Sequence, residues 1–179
     1  MKMAIRIGGM IMKEFQHVLR WLQQTIYEPS GLIVTDAQEE QQNAKYAGGI
    51  FTLKGKRIRL RVAHVTPKKI GQFVAMWQKN KDDQNEAFSE DEAVDYYVIV
   101  VFKNNDVYGQ FVFPKDVLAK KGILRTAERK GKMAIRVYAS WDEPTSKQAI
   151  ATQKWQQPYF FEWQQQEDIN EQWKVLYHL

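Results

Sequence analysis

Arg57, Arg59 and Arg61 alternate with Ile58, Leu60 and Val62 along one short segment. If residues 57–65 form a strand, its two-residue period puts the three guanidinium groups on one face. Lys68 and Lys69 follow directly, Arg125, Arg129, Lys130 and Lys132 form a second cluster, and Lys147 and Lys154 lie beyond. Such cations suit a phosphate backbone, because neutralising phosphates releases their condensed counterions. Single strands also need flat rings on which bases stack, and Tyr138, Trp141, Trp155, Tyr159 and Trp163 are candidates. The chemistry expected of these residues is nucleic-acid binding. Reversing Arg59 and Arg61 to Glu should then weaken oligonucleotide binding. The plainer alternatives are a solvated strand face for the arginines and half-burial beside Ile150 for Trp155. Phe73, Trp77, Phe111 and Phe113 read as core.

The charge distribution strengthens this reading. The net charge is +5, but residues 44–79 carry nine Lys or Arg and no acid, and residues 96–141 carry nine against three acids. Between them, residues 80–95 hold seven acids and one Lys. Two basic segments around an acidic one suggest an anion-binding face. The acidic segment is either simply solvated or a competitor for that face.

The elements that must position these groups follow from periodicity. Phe15, Val18, Leu19, Leu22 and Ile26 predict a helix over 13–27, ended near Pro29. Residues 28–47 read as a polar loop with a short helix at 36–43. Strands are predicted at 48–53 and 57–65 around a turn at Gly55. Thr66 and Pro67 look like a helix start, with Ile70, Phe73, Val74 and Trp77 along one side to about Gln78. The run Tyr96 to Phe102 predicts a buried central strand, paired as a hairpin with 107–113. Pro114 opens a short helix closed by Gly122, 125–132 is a basic loop, and 133–138 is a strand. A helix is predicted from 142–145 to about Gln157, stopped by Pro158, and another at 166–177. The fold class expected is α/β, a mixed sheet flanked by helices in a single domain, 1–179.

Composition excludes several classes. The chain has no Cys and only three His, far apart, so disulfides and thiolate zinc sites are ruled out and no metal site is expected. No segment approaches the roughly 20 apolar residues of a membrane helix. Residues 1–12 lack a full signal-peptide pattern. A cytoplasmic protein without membrane partners is expected.

Three blocks carry a family resemblance. The first is Ile58-Arg59-Leu60-Arg61-Val62-Ala63 into Thr66-Pro67-Lys68-Lys69-Ile70-Gly71-Gln72-Phe73-Val74 and Trp77. The second is Gly109-Gln110-Phe111-Val112-Phe113-Pro114-Lys115. The third runs from Gly131-Lys132-Met133-Ala134-Ile135-Arg136-Val137-Tyr138 through Trp141-Asp142 and Ser146-Lys147-Gln148-Ala149 to Thr152-Gln153-Lys154-Trp155-Gln156. In order and spacing they resemble bacterial MepB-like proteins over about residues 44–163, with helical extensions on either side. The resemblance implies a restriction-endonuclease-like core and nucleic-acid binding as the activity, DNA or RNA, but it supplies no reaction.

Nucleases of that fold class place an acid on one strand and an acid-x-Lys pair on the next, binding Mg²⁺ through oxygen ligands. Acid-x-Lys occurs once, at Glu128-Arg129-Lys130, in the basic loop. Asp95 could enter the hairpin as a metal-binding acid, but the returning strand offers Gln110 and then Val112. Glu28 and Lys103 complete the candidate catalytic set. The motif is degenerate, so the expectation is a binding protein of weak sequence specificity and no cofactor, with Mg²⁺ only if cleavage survives. The alternatives are an active Mg²⁺-dependent nuclease and a protein-interaction module. No helix-turn-helix or zinc finger reads bases.

Overall fold

The computed structural model describes residues 6–7, 10–164 and 171–179. Two short strands, β1 (Arg6–Ile7) and β2 (Met10–Ile11), precede α1 (Phe15–Leu22), which continues as a π turn over Gln23–Tyr27. Then come β3 (Val34–Glu39), β4 (Gly49–Leu53), β5 (Lys56–Val62), β6 (His64–Thr66), β7 (Lys69–Ala75), β8 (Trp77–Lys79) and β9 (Asn85–Ala87). The hairpin β10 (Tyr96–Phe102) and β11 (Val107–Pro114) leads into α2 (Lys115–Lys120). The chain then forms β12 (Ala134–Val137), α3 (Lys147–Gln156) and β13 (Phe160–Gln164), with a 3-10 run over Glu171–Tyr177.

Six strands form one mixed sheet in the order β13-β11-β10-β5-β4-β3, whose one parallel pair is β10 with β5. A separate antiparallel sheet, β12-β7-β6, contributes to a second layer. The expected mixed sheet flanked by helices is found. β10 is buried along its whole length, because both faces of the large sheet are covered. Val98 and Val100 pack with α1, whereas Tyr97, Ile99 and Val101 pack with Val74, Val137 and Leu118 on the other side. The Gly122 cap is also as read: its φ is +70° and its N–H donates to the Ala119 carbonyl.

Four expectations change. The helix expected from Thr66 to Gln78 is instead the hairpin β6–β7 followed by β8. The spacing of Ile70, Phe73, Val74 and Trp77 fits a helix, but pairing decides. β7 bonds β6 on one side and β12 on the other, and Gly71 has φ +78°, which a helix interior does not accommodate. Of the short helix expected at 36–43, residues 40–43 form a turn and residues 36–39 belong to β3, an edge strand with a bulge between Thr35 and Gln38. Its polar side chains gave no apolar period because only the backbone pairs. The late helix starts at Ser146 rather than within 142–145; its Oγ accepts from the Ala149 N–H at 3.2 Å. Of the helix expected at 166–177, residues 166–170 lie outside the described residues and the remainder is the 3-10 run.

That run is part of the core. Trp173 and Tyr177 are fully buried against α1 and the sheet. The Tyr177 hydroxyl donates to Gln110 Oε1 at 2.6 Å, so it accepts the Tyr27 hydroxyl proton in their 2.8 Å contact. Tyr177→Phe leaves both partners buried and unpaired, and about 1–3 kcal/mol of stability should be lost. A urea midpoint identical to that of the unaltered chain rejects this chain of hydrogen bonds.

Candidate functional site

The period of two does place Arg59 and Arg61 on one face of β5, but that face is covered. Arg59 is 5% exposed and Arg61 1%. Arg59 donates through Nε to Glu40 at 2.8 Å and through Nη1 to Glu92 at 2.7 Å. Arg61 Nη2 is 2.5 Å from Glu40 in an ion pair, and its Nη1 donates to the Leu60 carbonyl at 2.8 Å. The Arg59 guanidinium also lies 3.8 Å from the Phe88 ring centroid. Burial works against the charge of Arg59, yet Glu40 and Glu92 overcome it and raise its pKa. Burial dominates at Arg61 and lowers its pKa. The Tyr97 hydroxyl in the same cluster is pushed up to about 12, mainly by burial. The solvent-facing arginine wall expected here is therefore a buried ion-pair network. Arg57, half-buried, lies outside it, and its backbone N–H donates to Asp95 Oδ2 at 2.8 Å.

The acidic segment supplies part of that cover. Glu92 reaches Arg59, Glu86 pairs with Arg125 at 3.3 Å, and Asp83 lies 3.7 Å from Lys79. These carboxylates are engaged by their own neighbours.

The exposed cations that converge do so elsewhere. A cavity of 590 Å³ runs between the β12–β7 ladder and α3, and its walls carry Lys68, Lys69, Lys121, Lys132, Arg136 and Trp155 with no carboxylate. Lys68 and Lys69 reach it from the β6–β7 turn, and Lys132 from the loop before β12. Arg136 is fastened by Nη1 to the Ile70 and Gly71 carbonyls at 3.3 and 3.1 Å, which leaves its other N–H groups for a ligand. Lys121, at the end of α2, lies 5.3 Å from the Trp155 ring. Gln156 joins the walls: it accepts the Tyr138 N–H at 2.9 Å and donates to the Arg136 carbonyl at 3.1 Å.

Of the residues expected to bind, Lys68, Lys69, Lys132 and Trp155 are thus brought together, and Tyr138 joins them, mostly buried. Lys147 and Lys154 are exposed on α3 without lining the groove. Arg125 is taken up by Glu86, and Arg129 donates to the Lys120 carbonyl at 3.0 Å, lining a shallow depression that also holds Glu90 and Glu128. Lys130 is exposed outside the groove. Trp163 is core rather than stacker, 2% exposed against Trp21. Lys121 and Arg136 were not anticipated. Their signal was present, in the lysine pair before Gly122 and the one cation within the strand at 133–138.

Trp141 lines a second cavity of 460 Å³, with Val65, Lys103, Asp142 and Glu143. Burial, before any other cause, raises the Asp142 carboxyl above its ordinary range.

The candidate catalytic residues do not assemble. Asp95 is exposed and caps β5, whereas Gln110 is fully buried opposite Val100. Five residues of strand separate those levels, roughly 16 Å. Glu28 is exposed in a 3-10 turn after α1, and Lys103 is exposed beyond the far end of β10. Mg²⁺ needs several oxygen ligands at one point, and among the described residues no three Asp, Glu or His come together. These side chains do not fit the ion, and no hydrolytic step follows from them. Among the described residues, no helix is long and apolar enough to cross a membrane.

A family model described as MepB-like matches residues 40–162. The chain is also similar to a solved structure described as "Crystal Structure of MepB": 36% identity, 86% of this chain and 97% of that one, with a TM-score of 0.72. No curated protein matches it.

Proposed function

The chain belongs to the MepB-like family, and on that premise we propose that it binds nucleic acid, with weak sequence specificity, through the groove between the β12–β7 ladder and α3. The supporting observation is the composition of its walls: five cations and a half-buried indole, with no acid among them. Phosphates favour the cations, and bases favour the ring. A purely structural cluster would carry counter-charges, as the Arg59 network does. The scaffold belongs to the same reading, with the mixed sheet as an endonuclease-like core retained for binding. Cleavage gains no support from Asp95, Gln110, Glu28 and Lys103, which stand apart. A cytoplasmic location belongs to the proposal as the compartment where DNA and RNA are met.

Fluorescence anisotropy with labelled single- and double-stranded DNA and RNA, each at two salt concentrations, tests the reading. Affinity should fall steeply with salt. Trp155→Ala should weaken single-strand binding roughly tenfold, from about 1–3 kcal/mol of stacking per base. Flat isotherms for all four ligands at low salt reject nucleic-acid binding by this chain.

A further inference from the structure

The second cavity is not a continuation of the first in chemical terms. The two share Lys69 and Ile70 as a common wall. A strand lying in the basic groove therefore reaches the second cavity by passing the tip of the β6–β7 hairpin. There the lining changes: two carboxylates, Asp142 and Glu143, join the cations Lys69 and Lys103. The carboxylates set this cavity apart from the acid-free groove, and because they accept hydrogen bonds they favour a group that presents donors.

The other walls say what shape it has. Trp141 is half-buried and meets Phe160 edge-on, at 5.7 Å and 76°, which fixes its ring. Val65 and Ile70, 58% and 43% exposed, add apolar surface. The acid is also held in place. Asp142 Oδ2 accepts the Ala139 N–H at 2.8 Å, and the Asp142 carbonyl accepts from Gln153 Nε2 at 2.8 Å. A flat group with apolar faces and donors along one edge is a nucleobase. Ionised carboxylates only accept, and guanine, with N1–H beside its 2-amino group, matches a carboxylate with two adjacent donors. Adenine and cytosine set one amino group beside an acceptor, and thymine sets one N–H between two carbonyls.

Resting on the groove reading above, we infer that this cavity is a base-binding subsite selecting guanine from a strand whose phosphates lie in the adjoining groove. Lys103 is placed to meet a neighbouring phosphate.

The experiment compares alternating TG, TA and TC oligonucleotides of one length with oligo(dT), by anisotropy on the full chain. TG should bind roughly tenfold more tightly than the others. Replacing guanine with inosine, which lacks the 2-amino group, should remove most of that advantage without altering the protein. Asp142→Asn combined with Glu143→Gln should abolish it, so that this variant binds TG no more tightly than oligo(dT). The amide oxygen that Asp142→Asn introduces still accepts the Ala139 N–H, so the melting temperature should hold. Equal affinity for all four sequences, or a preference that survives inosine or the double variant, overturns the subsite and leaves the groove standing. No salt-dependent binding of any of them overturns both.

Discussion

Reversing Lys69 and Lys132 to glutamate together should weaken oligonucleotide binding roughly 100-fold at low salt, about 2.7 kcal/mol. Both side chains are exposed, and they enter the groove from separate segments, the start of β7 and the loop before β12. The change turns two phosphate partners into two repellent charges. Each lost contact with a single strand should also flatten the slope of log affinity against log salt by about 0.7. Stability should stay within about 0.5 kcal/mol, as for surface changes away from caps, cavities and buried pairs. The control is Lys147→Glu with Lys154→Glu, the same charge change on α3 outside the groove. If the control pair weakens binding as much, net charge rather than the groove governs affinity and the proposed interface is wrong.

Glu40→Ala is expected to cost about 3–5 kcal/mol of folding stability. Its carboxylate serves both buried guanidinium groups, Arg59 at 2.8 Å and Arg61 at 2.5 Å. Without it Arg59 keeps Glu92, but Arg61, 1% exposed, is left with the hydrogen bond to the Leu60 carbonyl and no carboxylate. An uncompensated buried charge is among the most costly single changes a domain can suffer. Glu92→Ala should cost less, because Glu92 pairs with Arg59 and not with Arg61. Chemical denaturation of the two variants provides the ordering. A Glu40→Ala midpoint within about 1 kcal/mol of the unaltered chain would show that the network contributes little. The same geometry changes what Arg59→Glu with Arg61→Glu would measure. That pair crowds four carboxylates into a buried space, so it reports on folding and not on ligand affinity.

The contrast between these variants is also where sequence reading stops. Nine cations without an acid over 44–79 look like one exposed wall. The acids that neutralise part of it come from outside that window, Glu40 on one side and Glu92 on the other. Lys69 and Arg59 are equally basic as letters; burial separates them. The β6–β7 hairpin shows the same limit at the level of elements. Ile70, Phe73, Val74 and Trp77 satisfy a helical period, and only the ladders to β6 and β12 select the strand. Lys121 and Arg136 join the groove unseen, because its walls come from β7, β12, α3 and the end of α2.

The residue order alone determined what neighbours along the chain can enforce. That includes the β10–β11 hairpin around its Asn-Asn-Asp turn, the Gly122 cap, the buried run of β10, the stop at Pro158, and the presence of excess positive charge. Tertiary structure decided which of those charges meet water and which meet carboxylates. The physical reason is that desolvation and ion pairing depend on distances in space, and these were set by segments 19 to 66 residues apart, as between Arg59 and Glu40 or Arg136 and Ile70.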